Sequence, residues 1–308
     1  MQDVCYNVVV RRVKNKKELN NVYQIVTDSC CDLPYQVLEE INVDFLSMKI
    51  QLNGEELIDD LGKTFDYEKY MNELKGEAMP TTSQINVGGY LEFFRSYVEK
   101  KIPVLYVAFS SSMSGSYSSA MQAVELLKEE YENPEIYVFD TKAASVGEGL
   151  LVLAAARLKE EGKPLEEVLE WLNNNYLKVR SWVTVDDLKH LERGGRISKT
   201  SATLGSILSV KPIITVDEAG RLTNVDKVRG RNKSIQKIVD ETIQSIVAPL
   251  EQTIYIAYAG DLESAEKAKK QLEEKIQVKN IVLYPLGPTI ASHTGYGCIA
   301  IFSMGTSR

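Results

Sequence analysis

Apolar and polar positions follow two different rhythms along the chain, and these rhythms predict its secondary structure. Short β-prone apolar runs at residues 23–29, 104–108 and 136–140 alternate with segments at 116–131 and 143–161 whose apolar residues recur every three to four positions. The first pattern is typical of buried strands and the second of helices that pack on one side. Strands that alternate with helices predict a Rossmann-like domain with a parallel sheet covered on both faces.

Three further predictions concern the turns of this half. Residues 43–51 alternate well enough for a strand, and the Asn53-Gly54 dipeptide after them predicts a hairpin. Asp32 is expected to cap the first helix. The hydroxyl-rich turn at residues 79–84 is expected to lead into the helix that follows it.

The second half of the chain mixes hairpins with crossovers. Apolar runs at residues 211–216 and 221–228 flank a short loop that contains glycine, which predicts an antiparallel hairpin. Gly162-Lys163-Pro164 separates the two halves. We therefore expect an α/β domain over residues 23–162 and an α+β domain with a mixed or antiparallel sheet over residues 163–308.

Composition and charge narrow the class of protein. The chain has 308 residues, 44% of them hydrophobic, and a net charge of -7, which argues against a general nucleic-acid binder. Residues 1–22 contain a basic stretch and are expected to form an N-terminal extension. No apolar run approaches the roughly 20 residues that cross a bilayer, and the start lacks a signal-peptide pattern. We expect a cytoplasmic protein whose contact with membranes, if any, is transient.

Cysteines and histidines are too few for a metal centre or a disulfide framework. Cys30 and Cys31 are adjacent and cannot form an ordinary unstrained bridge, and the four cysteines are unevenly spaced. His190 and His293 are the two histidines of the sequence, so a His-rich metal site is not expected. We predict reduced thiols, no bound metal and no cofactor.

A serine-rich stretch at residues 109–120 lies between a predicted strand and a predicted helix. The start of a helix offers unpaired backbone N–H groups and a positive dipole end, which suit a phosphate or a carboxylate. A simple N-cap role for one serine is the alternative. Asp28-Ser29 and Asp140-Thr141 also follow predicted parallel strands, so these polar groups are expected to gather at one edge of the sheet.

Motifs of the common nucleotide-binding and hydrolase classes are missing from the sequence. It contains no Gly-rich Walker loop and no G-x-G-x-x-G after the first strand. Ser114-Gly115 lies outside the nucleophile-elbow pattern, although His293, in a predicted loop of small residues, could serve as a base. Covalent catalysis by Ser114 and His293 and plain carboxylate binding by the same residues therefore both stay open.

Four arginines lie next to glycines near predicted element ends. They are Arg193, Arg196, Arg229 and Arg231. Guanidinium groups in such positions suit phosphate or acidic partners, whereas the alternative is ordinary solvation at the surface.

From residue 23 to about residue 304 the chain resembles the DegV family, and within it the fatty-acid-binding subunits of bacterial fatty acid kinase. Six ordered motifs carry the resemblance: Ile25-Val26-Thr27-Asp28-Ser29 with Asp32-Leu33-Pro34; Pro80-Thr81-Thr82-Ser83-Gln84; Ser110-Ser111-Ser112-Met113-Ser114-Gly115-Ser116-Tyr117; Leu191-Glu192-Arg193-Gly194-Gly195-Arg196-Ile197; Lys227-Val228-Arg229; and the Gly287-Pro288 to His293 segment. The chain departs from the family pattern in its N-terminal extension, in Ile85 where proline is common, and in Ser116 where threonine is common.

The resemblance implies a two-domain protein that encloses one long-chain fatty acid and has no catalytic residue of its own. It implies that the carboxylate is held by Thr82, Ser83, Ser114, Gly115 and His293. It also implies that a separate ATP-binding kinase subunit phosphorylates the bound fatty acid to an acyl-phosphate, within phospholipid metabolism. Arg196 and Arg229, with Arg231 as a near alternative, correspond to residues of phosphotransfer or partner contact. A stand-alone serine hydrolase or acyltransferase and a lipid-sensing regulatory protein are the alternative functions.

Overall fold

The computed structural model describes residues 23–76, 78–198 and 210–308. The predicted N-terminal extension, residues 1–22, lies outside the described residues. Within the described ranges the chain forms three β-sheets.

Strands and helices alternate through most of the described chain. The strands are β1 (Gln24–Asp28), β2 (Val43–Leu46), β3 (Lys49–Leu52), β4 (Glu55–Ile58), β5 (Thr81–Ser83), β6 (Val104–Ala108), β7 (Ile136–Asp140), β8 (Val179–Thr184), β9 (Val210–Val216), β10 (Leu222–Arg229), β11 (Thr253–Tyr258), β12 (Asn280–Pro285) and β13 (Ile299–Met304). The helices are α1 (Tyr35–Glu40), α2 (Tyr67–Lys75), α3 (Val87–Val98), α4 (Ser116–Glu130), α5 (Val146–Glu160), α6 (Leu165–Asn175), α7 (Lys189–Arg193), α8 (Arg231–Ser245), α9 (Leu262–Lys275) and α10 (Pro288–Thr294).

The first sheet is fully parallel and has the strand order β2-β1-β6-β7. Strand β6 is buried along its whole length, because its side chains point alternately to two helical layers. Val104 and Tyr106 pack in the apolar cluster that contains residues of α3 and α4. Leu105 and Val107 pack in the cluster that contains residues of α5. The predicted Rossmann-like arrangement is confirmed.

The second sheet is mixed and has the strand order β10-β9-β8-β13-β11-β12. Strands β11 and β12 are parallel, and the other neighbours are antiparallel. One face packs against α8 and α9, as Ile238 and Leu272 share a cluster with Ile301. On the opposite face, Ala300 and Phe302 belong to the cluster that includes α5. The predicted α+β character of this half is confirmed.

The third sheet corrects two predictions. The strand predicted over residues 43–51 is two strands, since β2 joins the parallel sheet whereas β3 pairs with β4 and β5. The break between them is held by the Met48 N–H, which donates to Ser29 Oγ at 2.9 Å. The segment 79–84 is not a turn at a helix start, because its centre forms β5. The predicted Asn53-Gly54 hairpin between β3 and β4 is confirmed.

Asp32 does not cap α1, and that prediction is wrong. The residue has a φ of 50° after a short 3₁₀ turn, and α1 begins only at Tyr35, after Pro34. The Asp32 carboxylate instead accepts a hydrogen bond from Ser145 Oγ at 2.5 Å and one from the Gly287 N–H at 3.0 Å. Asp32 therefore connects three distant segments of the chain.

The two domain ranges, 23–162 and 163–308, stay a prediction. Helix α5 ends just before Gly162, whose φ of 81° lets the chain change direction between the two halves. One continuous apolar cluster nevertheless contains Val152 from the first range and Ala300 from the second. The two halves therefore share part of their core, and a cavity lies where they meet.

Candidate functional site

A largely apolar cavity lies between the carboxyl ends of the parallel strands and the inner face of the second sheet. Cys30 and Phe109 border it from the first side, and Val183, Ala300 and Phe302 from the second. The other apolar side chains that line it are Met48, Met113, Ala144, Leu191, Ile214, Val216, Leu222, Leu286, Ile290 and Cys298. A buried apolar space with a few polar groups is suited to a small molecule with a long apolar part.

Thr82 and His293 meet in the wall of this cavity although 211 positions separate them in sequence. Thr82 Oγ1 and His293 Nε2 are 2.8 Å apart, and the donor depends on the tautomer of the imidazole. Thr82 is the central residue of β5, opposite Ile50 of β3. His293 lies in the last turn of α10, so the prediction of a loop here is wrong. Pro288 occupies the first position of this helix, where its missing N–H costs no hydrogen bond.

The imidazole of His293 is held in its neutral form. Burial lowers the pKa of His293 to about 4, and the positive charges of Arg196 and Arg193 act in the same direction. Gly194 lets the ring lie against the backbone, because a Cβ at this position would collide with Nδ1 of His293. A neutral imidazole can donate one hydrogen bond to a ligand oxygen without carrying a full positive charge.

The low pKa of His293 predicts a pH-dependent loss of stability. Because the pKa is about 4 in the folded chain and 6.5 ordinarily, the folded state binds fewer protons between these values. The stability contributed by the neutral ring is therefore complete above pH 6.5 and is lost as the pH falls through 4. We expect the free energy of unfolding of the wild type to fall by about 2 to 3 kcal/mol more than that of His293→Gln over this window.

Urea unfolding of both proteins at several pH values measures this difference. Asp59, whose pKa burial raises to about 6, has the opposite pH dependence but is present in both proteins, so its effect cancels. Parallel pH profiles for the wild type and His293→Gln would contradict a neutral, buried imidazole.

Ser114 lines the same cavity just before α4, whereas Gly115 follows it at the start of this helix and does not line the cavity. Ser114 Oγ donates to Ser116 Oγ at 3.0 Å, and the Ser116 N–H donates to Ser114 Oγ at 3.1 Å. A Cβ on Gly115 would collide with Oε1 of Gln84, so the glycine allows the loop that follows β5 to approach the helix start. The turn predicted from the serine-rich stretch thus lies beside Thr82 and Ser83, which also line the cavity.

The serine-rich loop is anchored by the buried carboxylate of Asp28. Oδ2 of Asp28 accepts from Tyr106 Oη at 2.6 Å and from the Phe109 N–H at 3.2 Å, and Oδ1 accepts from the Cys30 N–H at 3.0 Å. Burial raises the pKa of Asp28, and these hydrogen bonds oppose that shift. As predicted, the polar residues after β1 and β6 gather at one edge of the sheet.

The tip of the β9–β10 hairpin, in the second half of the chain, forms hydrogen bonds with the serine-rich loop. Ser110 Oγ donates to the Gly220 carbonyl at 2.8 Å, and Ser112 Oγ donates to the Ala219 carbonyl at 2.5 Å. These serines therefore hold the loop in place, whereas Ser114 lines the cavity.

The arginines predicted for phosphate or partner contact do not lie together. Arg196 lines the cavity, with Nε donating to the Met113 carbonyl at 3.0 Å and Nη1 donating to the Gly194 carbonyl. Arg229 is exposed at the end of β10. Arg231 forms an ion pair with Asp261 at 3.2 Å and donates to the Gly297 carbonyl. Of the three, Arg196 is the one that borders the cavity.

Several lining residues were not predicted as site residues. Gln84 lines the cavity next to Thr82 and Ser83. It belongs to the same sequence motif as these two residues, and this position could have identified it as a site residue. The apolar lining, for example Ile214 and Ala300, lies in strands whose consecutive residues are apolar and buried, so no local signal separated the lining from the core.

The sequence of this chain matches a known protein family. The family model described as "Uncharacterised protein, DegV family" matches residues 23–305. This chain belongs to the DegV family. A DegV domain-containing protein of Clostridium perfringens (strain 13 / Type A) is 41% identical to it over 286 residues, which cover 93% of this chain and 98% of that protein.

Solved DegV structures share the fold over nearly their full length. A fatty-acid-binding DegV family protein from Thermus thermophilus superimposes with a TM-score of 0.82 at 29% identity, covering 92% of this chain and 99% of that one. A stearic-acid-binding protein from Eubacterium ventriosum ATCC 27560 superimposes with a TM-score of 0.80 at 28% identity, covering 92% and 98%. Among the described residues of the present DegV chain, none of the helices is long and apolar enough to span a bilayer.

Proposed function

We propose that this DegV protein binds one long-chain fatty acid in the cavity, with the carboxylate at Thr82, Ser114 and His293. The observation that carries the proposal is a largely apolar cavity whose polar lining includes the Thr82 and Ser114 hydroxyls, the neutral imidazole of His293 and the guanidinium of Arg196. The fatty-acid-binding protein from Thermus thermophilus and the stearic-acid-binding protein from Eubacterium ventriosum support this ligand class.

The acyl chain can supply most of the binding free energy. Burial of about 14 methylenes at about 0.8 kcal/mol each gives an upper bound near 11 kcal/mol before the cost of association. The contacts of the carboxylate then need to contribute only the smaller part of the affinity, together with the orientation of the ligand. Hydroxyl and imidazole donors meet that need because they orient the carboxylate through hydrogen bonds and carry no positive charge of their own.

We further propose that the bound carboxylate is presented to a separate ATP-dependent kinase subunit in the cytoplasm. A carboxylate oxygen attacks the γ-phosphorus of ATP on that subunit, an O–P bond forms, and the bond to the departing ADP oxygen breaks. The product is an acyl-phosphate. The lack of a Walker loop or a dinucleotide fingerprint in this sequence agrees with ATP binding by the partner. Arg196 at the cavity can stabilise charge on the transferring phosphoryl group.

The hydrogen bonds of the site argue against the serine hydrolase alternative. Ser114 Oγ donates to Ser116, and His293 Nε2 is paired with Thr82, so the two are not hydrogen-bonded to each other. Among the described residues no carboxylate hydrogen-bonds His293. A nucleophilic serine needs a base within hydrogen-bond reach and a group that orients that base.

The presentation step predicts separate effects of arginine substitutions on binding and on transfer. With a kinase subunit and ATP, we expect Arg196→Ala and Arg229→Ala to keep fatty-acid loading but to reduce acyl-phosphate formation by on the order of tenfold or more. Hydroxylamine trapping of the acyl-phosphate measures the transfer, and native mass spectrometry measures the loading. Arg157→Ala, at an exposed arginine of α5 with a 4.0 Å contact to Glu161, is the matched control and should transfer normally.

Wild-type rates in both variants would contradict a role of these arginines in presentation. A loaded wild-type protein that yields no acyl-phosphate with the kinase would instead favour the lipid-sensing alternative.

A further inference from the structure

One side of the cavity is formed by a single stripe of residues along α10. Leu286, just before the helix, is followed at helical spacing by Thr289, Ile290, His293 and Thr294, and all five line the cavity. Within the helix, side chains at such spacing lie on one face, and Leu286 lies before the start of the helix, next to Gly287. The cavity therefore extends from the polar groups at one end of α10 toward Leu286 at the other.

A second space begins on the far side of Leu286. Leu286, which is 1% exposed, lines both the cavity and a groove that opens at the surface. The other residues of the groove are Asp32, Leu33, Pro34, Gln36, Leu61, Gly62, Phe65, Tyr67, Pro285, Gly287 and Pro288. Most of these side chains are apolar, so the groove can take up methylene groups that pass beyond Leu286.

Polar side chains also connect the lining of the cavity with that of the groove, through hydrogen bonds. Ser145, which lines the cavity, donates through Oγ to Oδ2 of Asp32 at 2.5 Å, and Asp32 lines the groove. Oδ1 of Asp32 accepts from the Gly287 N–H at 3.0 Å. The backbone of Leu286 is fixed as well, since its N–H donates to the Tyr258 carbonyl at 2.8 Å. The buried Leu286 is therefore held in a fixed position where it borders both the cavity and the groove.

We propose that Leu286 is the residue that limits the length of the bound acyl chain, and that the groove is the space into which a longer chain extends when this side chain is shortened. The inference rests on the proposed fatty-acid binding and deepens it. It concerns the tail of the ligand, whereas the proposed carboxylate site lies at His293, in the last turn of α10. Residues of the carboxylate site are unchanged in the variants that test it.

The test compares dissociation constants for a homologous series of saturated fatty acids that differ by two methylenes. The proteins are the wild type, Leu286→Ala and the milder Leu286→Val, which keeps the test valid if the alanine variant does not fold. We expect Leu286→Ala to bind chains roughly two to three carbons longer than the wild-type limit, because the substitution removes three carbon atoms. Each methylene accepted beyond that limit should strengthen binding by up to about fourfold, with a smaller shift for valine.

Leu272→Ala is the matched control. Leu272 is fully buried between α9 and the outer face of the second sheet, and it lines neither space. This variant should lose thermal stability but keep the wild-type length profile. An unchanged profile in both Leu286 variants, or an equal shift in Leu272→Ala, would overturn the inference. A wild type that binds no member of the series would overturn the proposed function itself.

Discussion

Replacing Asp28 with alanine is expected to lower the free energy of unfolding by about 3 to 5 kcal/mol, because it leaves several buried donors without an acceptor. The donors are Tyr106 Oη and the N–H groups of Phe109 and Cys30. Asp28 and Tyr106 are fully buried, so water cannot replace the carboxylate without a rearrangement. Chemical denaturation with fluorescence and circular dichroism measures the effect.

Tyr106→Phe is the matched control for Asp28→Ala. It removes one donor from the same network and should cost about 1 kcal/mol, with a further contribution from Tyr90, whose hydroxyl is 2.7 Å from that of Tyr106. If Asp28→Ala were no more destabilising than Tyr106→Phe, the carboxylate would not be the anchor of the loop that carries Ser114.

The second large effect is expected at the head group. Thr82→Val keeps the shape of the side chain but removes its hydroxyl, which we expect to weaken binding of a long-chain fatty acid by about ten- to hundredfold. Hydrogen bonds to a charged group contribute about 1.5 to 3 kcal/mol, which corresponds to this range. Titration calorimetry or displacement of a fluorescent fatty acid measures the dissociation constant.

Thr81→Val and a methyl ester provide the controls for this prediction. Thr81 is the neighbouring residue of β5, is exposed and does not line the cavity, so its substitution should leave binding unchanged. The methyl ester carries no charge, so the wild type and Thr82→Val should differ little in their affinity for it. Equal losses for Thr81→Val and Thr82→Val, or an equal loss for acid and ester, would contradict carboxylate recognition by Thr82.

Local sequence patterns predicted the secondary structure correctly where residues close together in the sequence determine it. The short continuous apolar run of β6 and the helical spacing of α4 predicted a parallel sheet covered on both faces, and the structure has one. Asn53-Gly54 predicted the hairpin because both residues adopt positive φ values, 51° and 85°, which this turn requires.

Predictions failed where a tertiary contact decides the conformation. Residues 43–51 divide between two sheets because Ser29, far away in sequence, binds the backbone of Met48. Asp32 has the type and position of a helix cap, but Ser145 and Gly287 engage its carboxylate. No pattern within a short window contains these partners.

In the candidate site, too, local patterns predicted some features, whereas others depend on tertiary contacts. The serine-rich stretch and the glycines around Arg193 and Arg196 marked segments that lie at the cavity. The pairing of Thr82 with His293 joins a strand to a helix 211 positions later, and the resemblance to DegV proteins, rather than periodicity, placed them in one site. The ion pair of Arg231 with Asp261 likewise has no local signature.

The central claim is that the cavity holds one long-chain fatty acid, and native mass spectrometry of the purified full chain tests it most directly. The spectrum should show the protein carrying one additional mass that solvent extraction identifies as a long-chain fatty acid, or acquiring that mass when the acid is added. A protein that remains unliganded at saturating fatty acid, while circular dichroism shows it to be folded, would contradict the claim.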